Sequence, residues 1–246
     1  MVKQAIETDP EIIEALNKEY CQRLYGKYLA QWNMLTMDQL NNMVDILKKE
    51  QPEKLLDVGC GAGVITEYIH AETGSAITAV DKNRKAIQSA RKRNPNTPDL
   101  HFKVMNFDNI ELKDTLFDAV IAIDSLHFSY NIEGIIKNLI EITREGALWL
   151  VYIVTQRGKN ARSKIKDVAD FDAILKRYEL SFDAKDCIQE MREFFEKTVT
   201  IISAMEQEKK LTAFILDEKA FAVQLLDDIE SHKAGRYFYI IRNSKS

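Results

Sequence analysis

No apolar run in this chain approaches the ~20 residues that a helix needs to cross a bilayer, so nothing in it reads as a membrane span. The first residues, MVKQAIETDPEIIEAL, lack the apolar centre and small-residue cleavage site of a secretory leader. Cysteine is scarce. Cys21, Cys60 and Cys187 are odd in number and widely spaced, so they suggest neither a disulfide framework nor a paired metal site. No other cluster of ligating residues points to a metal. Neither sign of charge is in marked excess: 34 Lys and Arg stand against 38 Asp and Glu, a net charge of −4. A dedicated nucleic-acid binder would carry a strongly basic balance. There is no internal repeat and no low-complexity segment. These absences lead us to expect a soluble, reduced, cytoplasmic protein, with no membrane or nucleic-acid partner and with its oligomeric state open.

What is present is length and apolar content enough for one domain: 246 residues, 46% of them hydrophobic. Residues 1–50 read as helices, with Leu40, Met43, Val44 and Leu47 at helical spacing behind a Thr36–Gln39 capping box. The pattern then changes. KLLDVG, SAITAVD, LHFKVM, FDAVIAID and ALWLVYIV are short apolar strands, separated by the amphipathic stretches VITEYIHAE, RKAIQSARKR and GIIKNLIEIT. Such alternation predicts an α/β, doubly wound parallel sheet over 51–156. Residues 157–234 hold a short strand near RYELSFD and two long helices, and 235–246 close the chain as a β-branched and aromatic strand, GRYFYIIR.

The stretch LLDVGCGAG, Leu55 to Gly63, joins the first strand to the next helix. In parallel sheets ligands bind beyond the carboxyl ends of the strands. Gly59, Gly61 and Gly63 let the backbone bend and approach a ligand, and the opening amides of the helix offer an anion site. The dinucleotide fingerprint G-x-G-x-x-G is not met, because position 64 is Val64. Asp57 before the turn is also unusual for a dinucleotide. Asp81 ends the second strand, beside Lys82, where a carboxylate accepts from both ribose hydroxyls or caps the next helix. Asn106 and Phe107 follow the third strand, either to recognise and stack on a base or to form an ordinary turn.

With those residues in view, the chain resembles the class I S-adenosylmethionine-dependent methyltransferases over roughly Lys54 to Val154. LLDVGCGAG matches that family's glycine motif, Asp81 its ribose-binding acid and FDAVIAID its fourth-strand motif, whereas Asn106 stands where the family usually has an acid. The resemblance implies S-adenosylmethionine as cofactor and a seven-stranded sheet with an antiparallel last strand. It implies a cofactor site built on Asp57, Gly59, Cys60, Gly61, Gly63, Asp81, Lys82, Asn106, Phe107 and Asp124. More loosely, the layout is similar to the glycine and sarcosine N-methyltransferases, which implies a small-molecule acceptor with an N or O nucleophile. An RNA or protein methyltransferase, or a non-catalytic cofactor-binding module, remains the alternative.

Acceptor contacts are expected from DSLHFSY after the fourth strand, with Ser125, His127 and Tyr130, and from LYGKYLAQWN, with Tyr25, Tyr28, Gln31 and Trp32. Aromatics there either border the sulfonium by cation–π attraction or pack the N-terminal helix on the sheet. His127 is the candidate general base, since an imidazole titrates near pH ~6.5, or else a loop anchor. Cys60 needs only to be small and is not read as a nucleophile. The cations of TQRGKNARSKIK, Arg157, Lys159, Arg162, Lys164 and Lys166, suit a solvated loop or an acidic substrate. Arg91 to Arg93 suit an exposed helix end. The late helices, roughly Ala184 to Ile229, are expected to cover the acceptor.

Overall fold

The computed structural model describes residues 7, 9–28, 33–112, 115–159 and 161–244. Two helices, α1 (Pro10–Tyr25) and α2 (Met37–Glu50), precede the first strand. Asp9 caps α1, with Pro10 at its first position. The capping box of α2 forms as expected: Thr36 Oγ1 accepts from the Gln39 N–H, and Gln39 Oε1 accepts from the Thr36 N–H, both at 3.2 Å.

The apolar runs become β1 (Lys54–Val58), β2 (Ala76–Asp81), β3 (Leu100–Val104), β4 (Phe117–Ile123) and β5 (Thr143–Gln156), followed by β6 (Ser181–Asp186) and β7 (Ala234–Arg242). They form one seven-stranded sheet in the order β3-β2-β1-β4-β5-β7-β6. Strands β1 to β5 pair in parallel, and β7 runs antiparallel to both β5 and β6. The strand order reverses at β1, whose neighbours β2 and β4 leave in opposite directions, so a crevice opens beyond its carboxyl end.

Helices α3 (Val64–Thr73) and α4 (Arg84–Arg93) join α2 on one face of the sheet, and α5 (Ile132–Ile142) and α6 (Val168–Arg177) cover the other. Successive strand residues point to opposite faces. Leu55 therefore packs with Met43, Ile69 and Ile87, while its neighbour Leu56 packs in the cluster of Ile136 and Phe171. Burial on both faces is why these strands read as continuous apolar runs.

A third cluster stands apart from the sheet. Helix α1 packs with α7 (Ile188–Gln207) and α8 (Ala213–Glu230) through Tyr20, Leu24, Met191, Phe195, Ile215 and Leu225. The late cap thus begins later than expected. Ala184 belongs to β6, where it pairs with Tyr239. RYEL lies before that strand, because Glu179 takes a left-handed φ of 56° and turns the chain out of α6. Among the described residues no helix is long and apolar enough to cross a membrane.

Candidate functional site

The turn between β1 and α3 borders a cavity of about 230 Å³ beyond the strand ends. Its three glycines, at φ 84°, 53° and 78°, have different tasks. A Cβ on Gly59 would lie 2.4 Å from Ser125 Cβ, and one on Gly63 2.4 Å from Phe102 Cε1. Those two are glycine because the protein packs against them. A Cβ on Gly61 would meet nothing within 4 Å. Gly61 is the place where a ligand can reach the backbone.

Asp81 holds this turn from the end of β2. Its Oδ2 accepts from the Gly61 N–H at 2.9 Å and its Oδ1 from the Asn83 N–H at 2.7 Å. Asp81 is not the cap of α4. Asn83 is, accepting from Lys85 and Ala86. Each Asp81 oxygen keeps lone pairs for a ligand on the cavity side, and Lys82 and Phe107 line the same space. Cys60 lines it too, but burial pushes its thiol up in pKa, so it is no nucleophile. Ser125 also borders the cavity and donates to the Val58 carbonyl at 2.6 Å, fastening the next loop to the turn.

Two expected cofactor contacts lie elsewhere. Asp57 is buried beneath the turn, where Thr66 Oγ1 donates to it at 2.6 Å and burial pushes its carboxyl up to about 7. Asn106 is exposed and outside the cavity lining, and its Oδ1 accepts from the Asp108 N–H at 3.2 Å in a local turn.

Asp124 borders the cavity, at a left-handed φ of 48°. Its carboxylate is engaged elsewhere: Arg236 donates from Nε to Oδ1 at 3.0 Å and from Nη2 to Oδ2 at 2.9 Å. The Met34 N–H adds a third bond, at 3.1 Å. Arg236 also donates to the Met34 carbonyl at 3.1 Å and to Gln39 Oε1 at 3.0 Å, and its guanidinium lies 4.4 Å over the Tyr152 ring. One fully buried arginine therefore ties β7, the loop after β4 and the segment before α2 together. The sequence reading missed it. The available signal was a cation set inside the apolar strand GRYFYIIR.

A second cavity, of about 130 Å³, adjoins the first and shares Asn33, Asp124 and Phe128 with it. His127 lines it, buried. The Val154 N–H donates to His127 Nδ1 at 3.3 Å. The neutral ring therefore carries its proton on Nε2, which makes that nitrogen a donor. Burial also pushes the imidazole down to about 4. Both facts withdraw the general-base role from His127 and leave it as a loop anchor with one N–H to offer.

The expected lid is likewise redrawn. Tyr25 is buried against Phe194 and donates to the Asn33 carbonyl at 2.9 Å, so it supports the segment beside the cavity from behind. Tyr130 is 86% exposed, under the Lys164 ammonium, at a separate surface groove. Tyr28 lies beneath the Lys18 ammonium. Gln31 and Trp32 fall outside the described residues. Of the basic loop, Arg157 pairs with Asp167, Lys166 donates to the Ser163 carbonyl, and Arg162 lines the second cavity. Arg93 is more than a solvated helix end: it pairs with Glu67 and donates to the Ala62 carbonyl, bracing the glycine turn from α4.

Residues 56–151 match the methyltransferase domain family. Squalene methyltransferase 1 of Botryococcus braunii is 29% identical over 136 residues, 54% of this chain and 35% of that one. A demethylmenaquinone methyltransferase of Tropheryma whipplei is 30% identical over 99 residues, 40% of this chain and 41% of that one. The chain thus matches well under half the length of these curated relatives. Among solved structures, a putative sarcosine dimethylglycine methyltransferase from Galdieria sulphuraria superposes with a TM-score of 0.71 at 13% identity, covering 85% of each chain. A cyclopropane synthase of Mycobacterium tuberculosis gives 0.72 at 10% identity, covering 94% of this chain and 97% of that one. The domain match contains the glycine turn, Asp81 and Asp124, and the fold runs on through β7. Residues 56–151 thus match the methyltransferase domain model, and the chain that carries them shares the fold of the sarcosine dimethylglycine methyltransferase and cyclopropane synthase structures.

Proposed function

We propose that the chain binds S-adenosylmethionine along the Gly59–Gly63 turn and transfers its methyl to a small-molecule acceptor in the adjoining cavity. The observation that carries this reading is Gly61, open to the first cavity beside the Asp81 carboxylate, with the second cavity adjoining it at Asp124 and Phe128. The residues fit the cofactor. Asp81 accepts from ribose hydroxyls, the opening turn of α3 offers backbone amides to the amino-acid end, and the buried Phe107 offers a flat surface to the adenine. When bound, the cofactor supplies an electrophilic methyl on a sulfonium.

What this chain contributes is position and a dry wall. Holding the two reactants in line contributes ~7–11 kcal/mol of the barrier. Met34, Phe128, Phe194, Phe195 and Phe221 line the acceptor cavity and exclude water where charge is lost. With His127 unsuited to take a proton, an acceptor meets the methyl in its nucleophilic form or releases its proton to solvent. Phe194, Phe195, Phe221 and Leu225 come from α7 and α8, so acceptor choice resides in the late helices. The relatives named above as squalene and demethylmenaquinone methyltransferases support a small-molecule acceptor. The three free thiols, Cys21, Cys60 and Cys187, support a reducing, cytoplasmic setting.

The test is calorimetry with S-adenosylmethionine, S-adenosylhomocysteine and NAD, followed by an acceptor screen read out as S-adenosylhomocysteine release. The two sulfur ligands are expected to bind and NAD is not. Binding of NAD without heat from either sulfur ligand refutes the reading.

A further inference from the structure

Glu218 on α8 lines the second cavity and is half-buried there. Its carboxylate forms no hydrogen bond or ion pair among the described residues. Several other acids of this cap are matched: Glu19 and Glu208 with Arg23 and Lys210, and Glu206 with Lys219. The cation whose charge acts on Glu218 is Arg162, whose guanidinium lies 4.3 Å over the Phe221 ring. Asp217 on the same helix repels the charge, and Tyr20 and Cys21 face it from α1. Desolvation raises the Glu218 carboxyl above its ordinary value. Arg162 acts on this acid only through space, so the carboxylate has no hydrogen-bonded counter-charge, and the cavity is the open side from which one can come.

The surrounding wall suits the same visitor. Phe128, Phe194, Phe195 and Phe221 border the space, and ring faces attract cations. We infer, resting on the reading that this cavity holds the acceptor, that the acceptor is a small organic amine that binds as its ammonium, its nitrogen paired with Glu218 and its apolar body among the phenylalanines, and that sheds one proton to solvent before the free amine meets the methyl. An anion would enter beside that carboxylate, and a neutral alcohol would leave it without an ionic partner in contact, Arg162 being held over Phe221. At about 130 Å³ the space is close to the ~150 Å³ apolar cavity that holds one benzene ring. The ligand body is therefore one ring or a short branched chain.

The experiment titrates the protein, loaded with S-adenosylhomocysteine, with benzylamine, benzyl alcohol and benzoate, which share one ring. Benzylammonium is expected to bind at least ~10-fold tighter than benzyl alcohol, the ratio that one charge-assisted hydrogen bond supplies, and benzoate weakest. Glu218→Gln should abolish that preference and leave the affinity for S-adenosylhomocysteine unchanged, while Arg162→Gln should keep the preference. Without ligand, Glu218→Gln should raise Tm by ~2–4 °C, the response of a chain of this size to relief of one unmatched charge. Benzyl alcohol or benzoate binding as tightly as benzylamine overturns the inference. So does an unchanged preference in Glu218→Gln, or a fall in its Tm, which would make the carboxylate a structural partner. If S-adenosylhomocysteine itself fails to bind the wild type, the cofactor reading is what fails. If it binds and the three rings are not distinguished, only the ammonium is lost.

Discussion

Arg236→Met should be among the most damaging single changes in this protein outside the glycine turn. The side chains of Arg236 and Asp124 are 0% and 4% exposed. The guanidinium donates two bonds to Asp124, at 3.0 and 2.9 Å, and two more to Met34 and Gln39, at 3.1 and 3.0 Å. Methionine has a similar length and keeps the contact with Tyr152, so packing changes little. What is lost is the counter-charge of a carboxylate that stays buried. Breaking a buried pair from one side costs ~3–5 kcal/mol. At ~2–4 °C per kcal/mol for a chain of this size, Tm should fall by ~6–20 °C. Arg236→Lys should fall between, because an ammonium cannot fork onto both oxygens. The double variant Arg236→Met with Asp124→Leu should be more stable than Arg236→Met alone, since no orphaned charge remains. Urea unfolding of the three variants gives the numbers, and calorimetry adds a second reading. The Asp124 loop and the Met34 segment flank the cofactor cavity, so cofactor affinity should weaken in step. A loss below ~1 kcal/mol, with a double variant no better than the single, would refute the assignment of Arg236 as the tie between these three segments.

Asp81→Ala should weaken S-adenosylmethionine binding by ~1.5–3 kcal/mol, the usual range for hydrogen bonds to a charged group, along with a smaller loss of stability from the Gly61 and Asn83 amides it releases; an unaltered Kd would confine Asp81 to holding the turn. Gly61→Val should cost cofactor affinity, because its side chain grows into open cavity, as well as some stability, because a β-branched residue is strained at φ 53°, whereas Gly63→Ala should cost chiefly stability, because its Cβ meets Phe102; a Gly61→Val variant that binds the cofactor normally would contradict the division of labour among the glycines. Two buried groups oppose each other in pH dependence. His127, at about 4 in the folded chain against ~6.5 unfolded, contributes stability that is present above pH ~6.5 and lost as pH falls toward 4. Asp57, at about 7 against ~3.9 unfolded, contributes stability that is present below pH ~4 and lost as pH rises toward 7. Asp57→Asn should therefore gain on the wild type by up to ~1.4 kcal/mol per pH unit between pH ~4 and ~6.5, and His127→Gln should lose by the same slope. Unfolding curves that stay parallel to the wild type across that window would remove both groups from the balance.

Sequence alone determined what local chemistry determines. Apolar runs of strand length alternating with amphipathic stretches demanded helices on both faces of a parallel sheet. Thr36 and Gln39, three residues apart, carry their capping box within one turn of chain. LLDVGCGAG announced a strand, a sharp turn and a helix start in nine residues, and Asp81 was legible because it ends the next strand. Tertiary structure decided which partner each side chain meets. Asp124 reads as a cofactor ligand until β7 inserts between β5 and β6 and brings Arg236 to it across 112 positions of sequence. His127 reads as a base until a Val154 amide takes the nitrogen it would use. Gly59, Gly61 and Gly63 are alike in sequence, and only the packing of Ser125 and Phe102 shows that Gly61 alone of the three faces open space. Glu218 is one more acid on a helix until α1, α7 and α8 close around it. Periodicity and turn chemistry act over a few residues, whereas hydrogen bonds and desolvation act through space, and the crossovers of the sheet set which distant residues share that space.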